Sequence, residues 1–147
     1  MYTIQCQYNR NQSLIKELGK IWLSAVKTSH FFLTEKDIQK LYPLVLDAIY
    51  NVPHLLTIKD GNKHIAFMGL EQKNIEMLFV ADFAQKKGIG SQLIDHAINA
   101  YHCNKITVNE ENSIALSFYQ KKGFSIINRY EYDNLGNHFP ILELKLK

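Results

Sequence analysis

Cysteine, proline and tryptophan are scarce in this chain, at two, three and one among 147 residues. Cys6 and Cys103 have no C-x-x-C spacing and no neighbouring His or Cys cluster, which argues against a disulfide framework and against a zinc site. No metal is expected, and two reduced thiols fit a cytoplasmic protein. No apolar run approaches the roughly 20 residues that cross a bilayer, and Met1-Tyr2-Thr3-Ile4-Gln5 lacks a signal-peptide pattern. Charge of one sign is missing too. A net charge of +3 suits an anionic small ligand but falls far short of a nucleic-acid-binding footprint. Repeats, low-complexity tracts and linkers are absent, so residues 1–147 read as one domain.

What is present is an alternation of helix and strand patterns. Tyr2 to Gln7 alternates thinly, as a first strand would. Asn9, Asn11 and Ser13 offer helix caps, and Leu14, Leu18, Ile21, Trp22 and Ala25 form one apolar helical stripe. Residues 29–33, S-H-F-F-L, read as a loop with large apolar side chains. Thr34 with Asp37 resembles a weakened capping box for a helix to about Tyr50, striped by Ile38, Leu41, Val45 and Ile49. Pro43 should end, kink or split it. Leu55–Ile58 and Ile65–Met68 flank Asp60-Gly61, a hairpin cue. Asn74–Val80 reads as a strand, Ala81–Tyr101 as a loop and helix, and Lys105–Val108 as a buried strand. That makes a βαβ unit with parallel strands. Asn112 or Ser113 caps a helix over Ile114–Lys122, ended by Gly123. Ile126-Ile127 with Tyr130–Tyr132 make a strand, Asn134–Asn137 a turn, and Phe139–Leu146 a last antiparallel strand with one wet face.

The segment Gln85-Lys86-Lys87-Gly88-Ile89-Gly90-Ser91 stands between strand and helix. Free N–H groups and partial positive charge at a helix N-terminus make such a loop a place for phosphates. A dinucleotide fingerprint would need glycine at position 93, which is Leu, and a Walker loop would need Gly-Lys-Ser/Thr. Q-x-x-G-x-G after a strand ending in Val resembles instead the pyrophosphate loop of the GCN5-related N-acetyltransferase (GNAT) superfamily. Val108-Asn109, Asn112, Ala115, Phe118-Tyr119 and Gly123-Phe124 resemble that family's second signature. Asp133, Gly136, Phe139 and Pro140 are similar to a bacterial subgroup of small, stand-alone members.

The resemblance implies an α/β fold: a mixed, mostly antiparallel sheet of six to seven strands around a central parallel pair, flanked by about four helices. It implies an acetyl-CoA-dependent N-acetyltransferase acting on a primary amine of a small molecule or peptide, as monomer or homodimer, with no membrane partner. Gln85, Lys86, Lys87, Gly88, Ile89, Gly90 and Ser91 would hold the pyrophosphate. Backbone groups of Leu78, Phe79 and Val80 would pair with the pantetheine arm, and Asn112 and Tyr119 would also meet the cofactor. Tyr119 would be the general acid for the leaving thiolate. Several family members carry an acid or His at the position of Asn74, which here cannot act as a base. Glu76, expected on the same strand face, or a water relay, takes that role. Lys121 or Lys122 would reach a phosphate or merely end its helix. Trp22, Ser29, His30, Phe31 and Phe32 are the acceptor-side candidates, with core packing the competing explanation for Trp22. Neither cysteine suggests an acetyl-enzyme, so attack would be direct. A catalytically weak acyl-CoA-binding regulatory protein of the same fold is the other reading.

Overall fold

A computed structural model describes residues 2–147. Strand β1 (Ile4–Cys6) leads to Asn11, whose side chain accepts the Leu14 N–H at 2.9 Å and so starts helix α1 (Gln12–Ser29). All five residues of the expected stripe are buried. Trp22 is 5% exposed, and its ring lies 6.3 Å from that of Tyr42. Helix α2 (Glu35–Asn51) opens with a complete capping box, Thr34 and Asp37 exchanging bonds at 3.1 and 2.9 Å.

Pro43 neither ends nor splits α2, two of the three outcomes expected from the sequence. It deletes one backbone bond, to the Gln39 carbonyl, while the capping box and packing on α1 hold both flanking turns. The helix lies on the outside of α1: of its stripe only Ile49 is fully buried.

Strands β2 (His54–Asp60) and β3 (Lys63–Glu71) form the expected hairpin, with the turn one residue later than the Asp-Gly cue, on Gly61-Asn62. Next come β4 (Asn74–Val80), a 3₁₀ turn (Asp82–Ala84), α3 (Ile89–Tyr101), β5 (Lys105–Asn109), α4 (Ser113–Lys121), β6 (Phe124–Tyr130) and β7 (Ile141–Leu146). Tyr132 and Phe139 fall outside the strands assigned to them from sequence. The seven strands make one sheet in the order β1-β2-β3-β4-β5-β7-β6, antiparallel except between β4 and β5. Central β3 is buried from His64 to Leu70, as expected of a strand covered on both faces.

One irregularity positions the site. Along β3 and β4, Gly69 pairs Met77 while Leu70 pairs Ile75, so Glu76 has no partner and forms a β-bulge. Regular pairing, which would have set Asn74 and Glu76 on one face, does not hold. A Cβ on Gly69 would stand 2.6 Å from Met77 Cε and 3.1 Å from Val52. Glycine therefore lets Met77 lie against the backbone at the bulge. A bulge bends its strand, and β4 pairs with β5 only at Asn74–Lys105 and Ile75–Ile106 before the two part.

Leu18 is fully buried on the α1 stripe that covers this sheet. Leu18→Ala is expected to lower the unfolding free energy by about 2–5 kcal/mol, read from urea denaturation curves.

Candidate active site between the parting strands

Where β4 and β5 separate, a cavity of about 590 Å³ opens, bounded by both strands, the loop after β4, the start of α3, α4 and the C-terminal end of α1. Its loop end is built from unusual backbone. Lys86 adopts φ +62° and Gly88, the N-cap of α3, φ +77°. Nothing lies within 4 Å of a Cβ built on Gly88, so glycine is required there for its left-handed conformation rather than for space. The first bond into α3 runs from the Gln92 N–H to the Gly88 carbonyl at 3.0 Å. The N–H groups of Ile89, Gly90 and Ser91 thus have no partner within the helix, and all three residues line the cavity. Gln85 steadies the loop by donating its amide to the Val80 carbonyl at 3.3 Å. Lys86 is on the wall; Lys87 is not.

Lys122 is already committed. Its ammonium lies 2.8 Å from Ser91 Oγ and 2.7 Å from Asp95 Oδ1, tying the end of α4 to the first turns of α3. Sequence reasoning offered Lys122 as a phosphate ligand or a helix end, and the clamp to Asp95 left no local signal because the two lie on different helices.

Tyr119 is 8% exposed and lines the cavity from α4. Burial pushes its phenol up to about 12. The rings of Phe118 and Phe124 stand 5.6 and 6.4 Å from it. Glu76 reaches the same cavity from the bulge. Partial burial of its carboxyl, and then the negative charge of Glu71, hold its pKa above the ordinary carboxylate value. Asn112 is buried; its Oδ1 accepts the Ala115 N–H at 3.2 Å and caps α4. Its Nδ2 faces His30 Nε2 at 3.5 Å.

The acceptor-side candidates scatter. His30 and Ser29 line the cavity. Trp22 belongs to the core beneath α2, where the α1 stripe already placed it. Phe31 is 80% exposed and lies off the wall. Phe32 stacks between His30 at 5.4 Å and Phe139 at 5.5 Å, closing the outer side of His30. Leu78, Phe79 and Val80 border the gap left by β5.

This geometry suits a long, partly apolar ligand with an anionic group at the helix end and a reacting centre near Tyr119. Residues 51–141 match the family described as the acetyltransferase (GNAT) domain. Peptidyl-lysine N-acetyltransferase YjaB of Salmonella typhimurium is 33% identical over 129 residues, covering 88% of this chain and 89% of that protein. Peptidyl-lysine N-acetyltransferase YiaC of Escherichia coli is 29% identical over 119 residues, covering 80% and 81%. The solution structure of apo-form YjaB from Escherichia coli superposes with a TM-score of 0.86 at 30% identity, covering 97% of each chain. In fold alone the chain also resembles a PaiA N-acetyltransferase from Thermoplasma acidophilum in complex with coenzyme A, at 18% identity and a TM-score of 0.64 over 97% of this chain and 99% of that one. The chain belongs to the GNAT family of acetyltransferases, enzymes whose acetyl donor is acetyl-CoA.

Proposed function

We propose that the protein moves an acetyl group from acetyl-CoA to a lysine side-chain amine of a peptide or protein, by direct attack and with Tyr119 as general acid. The observation that carries this is the single cavity with unpaired helix N–H groups at one end and a buried phenol on its wall. The names of the YjaB and YiaC relatives support the choice of lysine as acceptor.

Each part follows from the chemistry of the residues. The N–H groups of Ile89, Gly90 and Ser91, with the partial charge of the α3 N-terminus and Lys86, would hold the pyrophosphate. Backbone groups of Leu78, Phe79 and Val80, which β5 leaves uncovered, would pair with the amides of the pantetheine arm. An N–H near the bulge would stabilise charge on the thioester oxygen. When bound, the thioester supplies the acetyl group, its C–S bond breaking as the bond to the amine nitrogen forms.

Tyr119 is protonated at neutral pH, as an acid must be. A phenol near 12 facing a thiol whose ordinary value is ~8.5 leaves a gap of about 3.5, roughly 5 kcal/mol, against proton transfer between separate groups. The dry wall that raises the phenol also raises the thiol, because burial disfavours both anions and so narrows the gap. Glu76, on the same cavity wall, would draw the ammonium form of the acceptor into the cavity. The binding-protein alternative leaves a buried phenol beside the donor site without a task.

Isothermal calorimetry should detect acetyl-CoA binding, and mass spectrometry should find acetylated lysine on test peptides. Acetyl-CoA binding without acetylation of any lysine peptide would return the binding-protein reading. Gly88→Val, which cannot adopt φ +77° without strain, should weaken acetyl-CoA binding at least tenfold in the same calorimeter. Tyr119→Phe should leave acetyl-CoA affinity within about twofold while lowering kcat by about 100-fold or more in a thiol-release assay.

A further inference from the structure

Two side chains on the acceptor side of the cavity can take a proton, Glu76 and His30. Only His30 is held in one orientation by a complete relay. The Ser29 hydroxyl lies 2.8 Å from the Ala25 carbonyl and gives it its proton. Its oxygen is then free to accept from His30 Nδ1, also at 2.8 Å, an arrangement that puts hydrogen on Nδ1 and the lone pair on Nε2. Asn112 agrees from the other side. Its Oδ1 is used by the Ala115 N–H, so the amide nitrogen is the atom turned to Nε2. At 3.5 Å that contact is at the limit of a hydrogen bond and leaves the lone pair open to a better donor.

The placement suits the reaction. Asn112 and Tyr119 are seven residues apart, close to the same face of α4 and about 10 Å apart along its axis. His30 Nε2 therefore stands near the start of the face that carries Tyr119, and both residues line the same cavity. We propose that His30 Nε2 is the catalytic base, taking the first proton of the acceptor ammonium before attack. This rests on the acetyltransferase reading above.

The protons balance. The ammonium gives one proton to His30, and the neutral amine forms the C–N bond as the C–S bond breaks. Tyr119 protonates the departing sulfur and is restored by the proton the new amide nitrogen sheds. His30 passes its own proton to water, so amide, thiol and one proton leave. Glu76 from β4, Lys86 from the loop and Tyr119 from α4 are the titratable groups facing the same cavity, and the Phe32 ring lies 5.4 Å from that of His30.

The pH profile carries the sign. A base must be unprotonated, so kcat/KM falls as pH drops through its pKa. Burial lowers His30 below its ordinary 6.5, while Glu76 is raised above its ordinary 4.5. The two acid limbs converge, so substitutions rather than position assign the limb. His30→Ala is expected to lower kcat/KM about 100-fold, abolish the acid limb and regain activity with added imidazole, with acetyl-CoA affinity within twofold. Glu76→Gln should raise KM for the peptide and keep the limb. Ser29→Ala, which frees the ring, should lower kcat, and nitrogen-15 shifts should show hydrogen on Nδ1 of His30 in the wild-type protein. If His30→Ala does not fold by circular dichroism, His30→Gln carries the same loss of rate and limb. A limb that survives in His30→Gln but vanishes in Glu76→Gln, or a ring with hydrogen on Nε2 alone, overturns the proposal. Wild-type protein that binds acetyl-CoA but acetylates no amine overturns the function itself.

Discussion

A single extra residue in β4 sets the terms for everything else in this molecule. Because Glu76 has no partner on β3, β4 bends, and its pairing with β5 stops after Ile75 and Ile106. Backbone groups that a regular sheet would consume are left facing a gap, and a gap between strands cannot be filled by side chains alone. Gly69 is the permissive half of the arrangement, since any larger residue there would meet Met77. The cavity is thus not a space between packed helices but an unfinished ladder, lined on one flank by peptide groups and on the other by α4.

The elements around the gap are held from both ends. Lys122 joins α4 to α3 through Ser91 and Asp95, and at the opposite end of α4 Asn112 meets His30, the residue after α1, at the limit of a hydrogen bond. Tyr119 sits between these two fastenings. A partly exposed ion pair such as Lys122–Asp95 adds little to stability. Its value lies in geometry, because it keeps the acid-bearing helix in register with the loop that would hold the donor.

Much of this was legible in the chain, and the reason differs from residue to residue. The stripe from Leu14 to Ala25, the Thr34–Asp37 cap and the loop glycine at 88 are local patterns, set by neighbours three or four positions away, and the folded chain keeps them. The parallel pair followed from the strand–helix–strand order, while a mixed sheet of six to seven strands was what the family resemblance implied, and the chain has seven. Pro43 leaves α2 continuous because a lone missing hydrogen bond is outweighed by packing on α1 that no helical pattern reports. The bulge was invisible because it is a relation between Glu76, Gly69 and Met77 across two strands. Trp22 and His30 were both acceptor candidates, Trp22 on the helical stripe with core packing as its competing explanation and His30 in the segment after it; the stripe carries Trp22 inward, while the end of α1 releases His30 toward α4. The His30–Asn112 link of the relay spans 82 positions, beyond the reach of any local signal.

The two residue pairs joining β4 to β5 have a mechanical meaning as well. Strands β1 to β4 and strands β5, β7 and β6 form two plates, and Asn74–Lys105 and Ile75–Ile106 are the parallel seam between them. So short a seam resists relative twisting weakly, and a molecule laid along the open part would act as a missing strand that stitches the plates together. Ligand occupancy then becomes a contribution to folding: a donor present at a hundred times its dissociation constant would add about 2.7 kcal/mol to the stability of the whole chain.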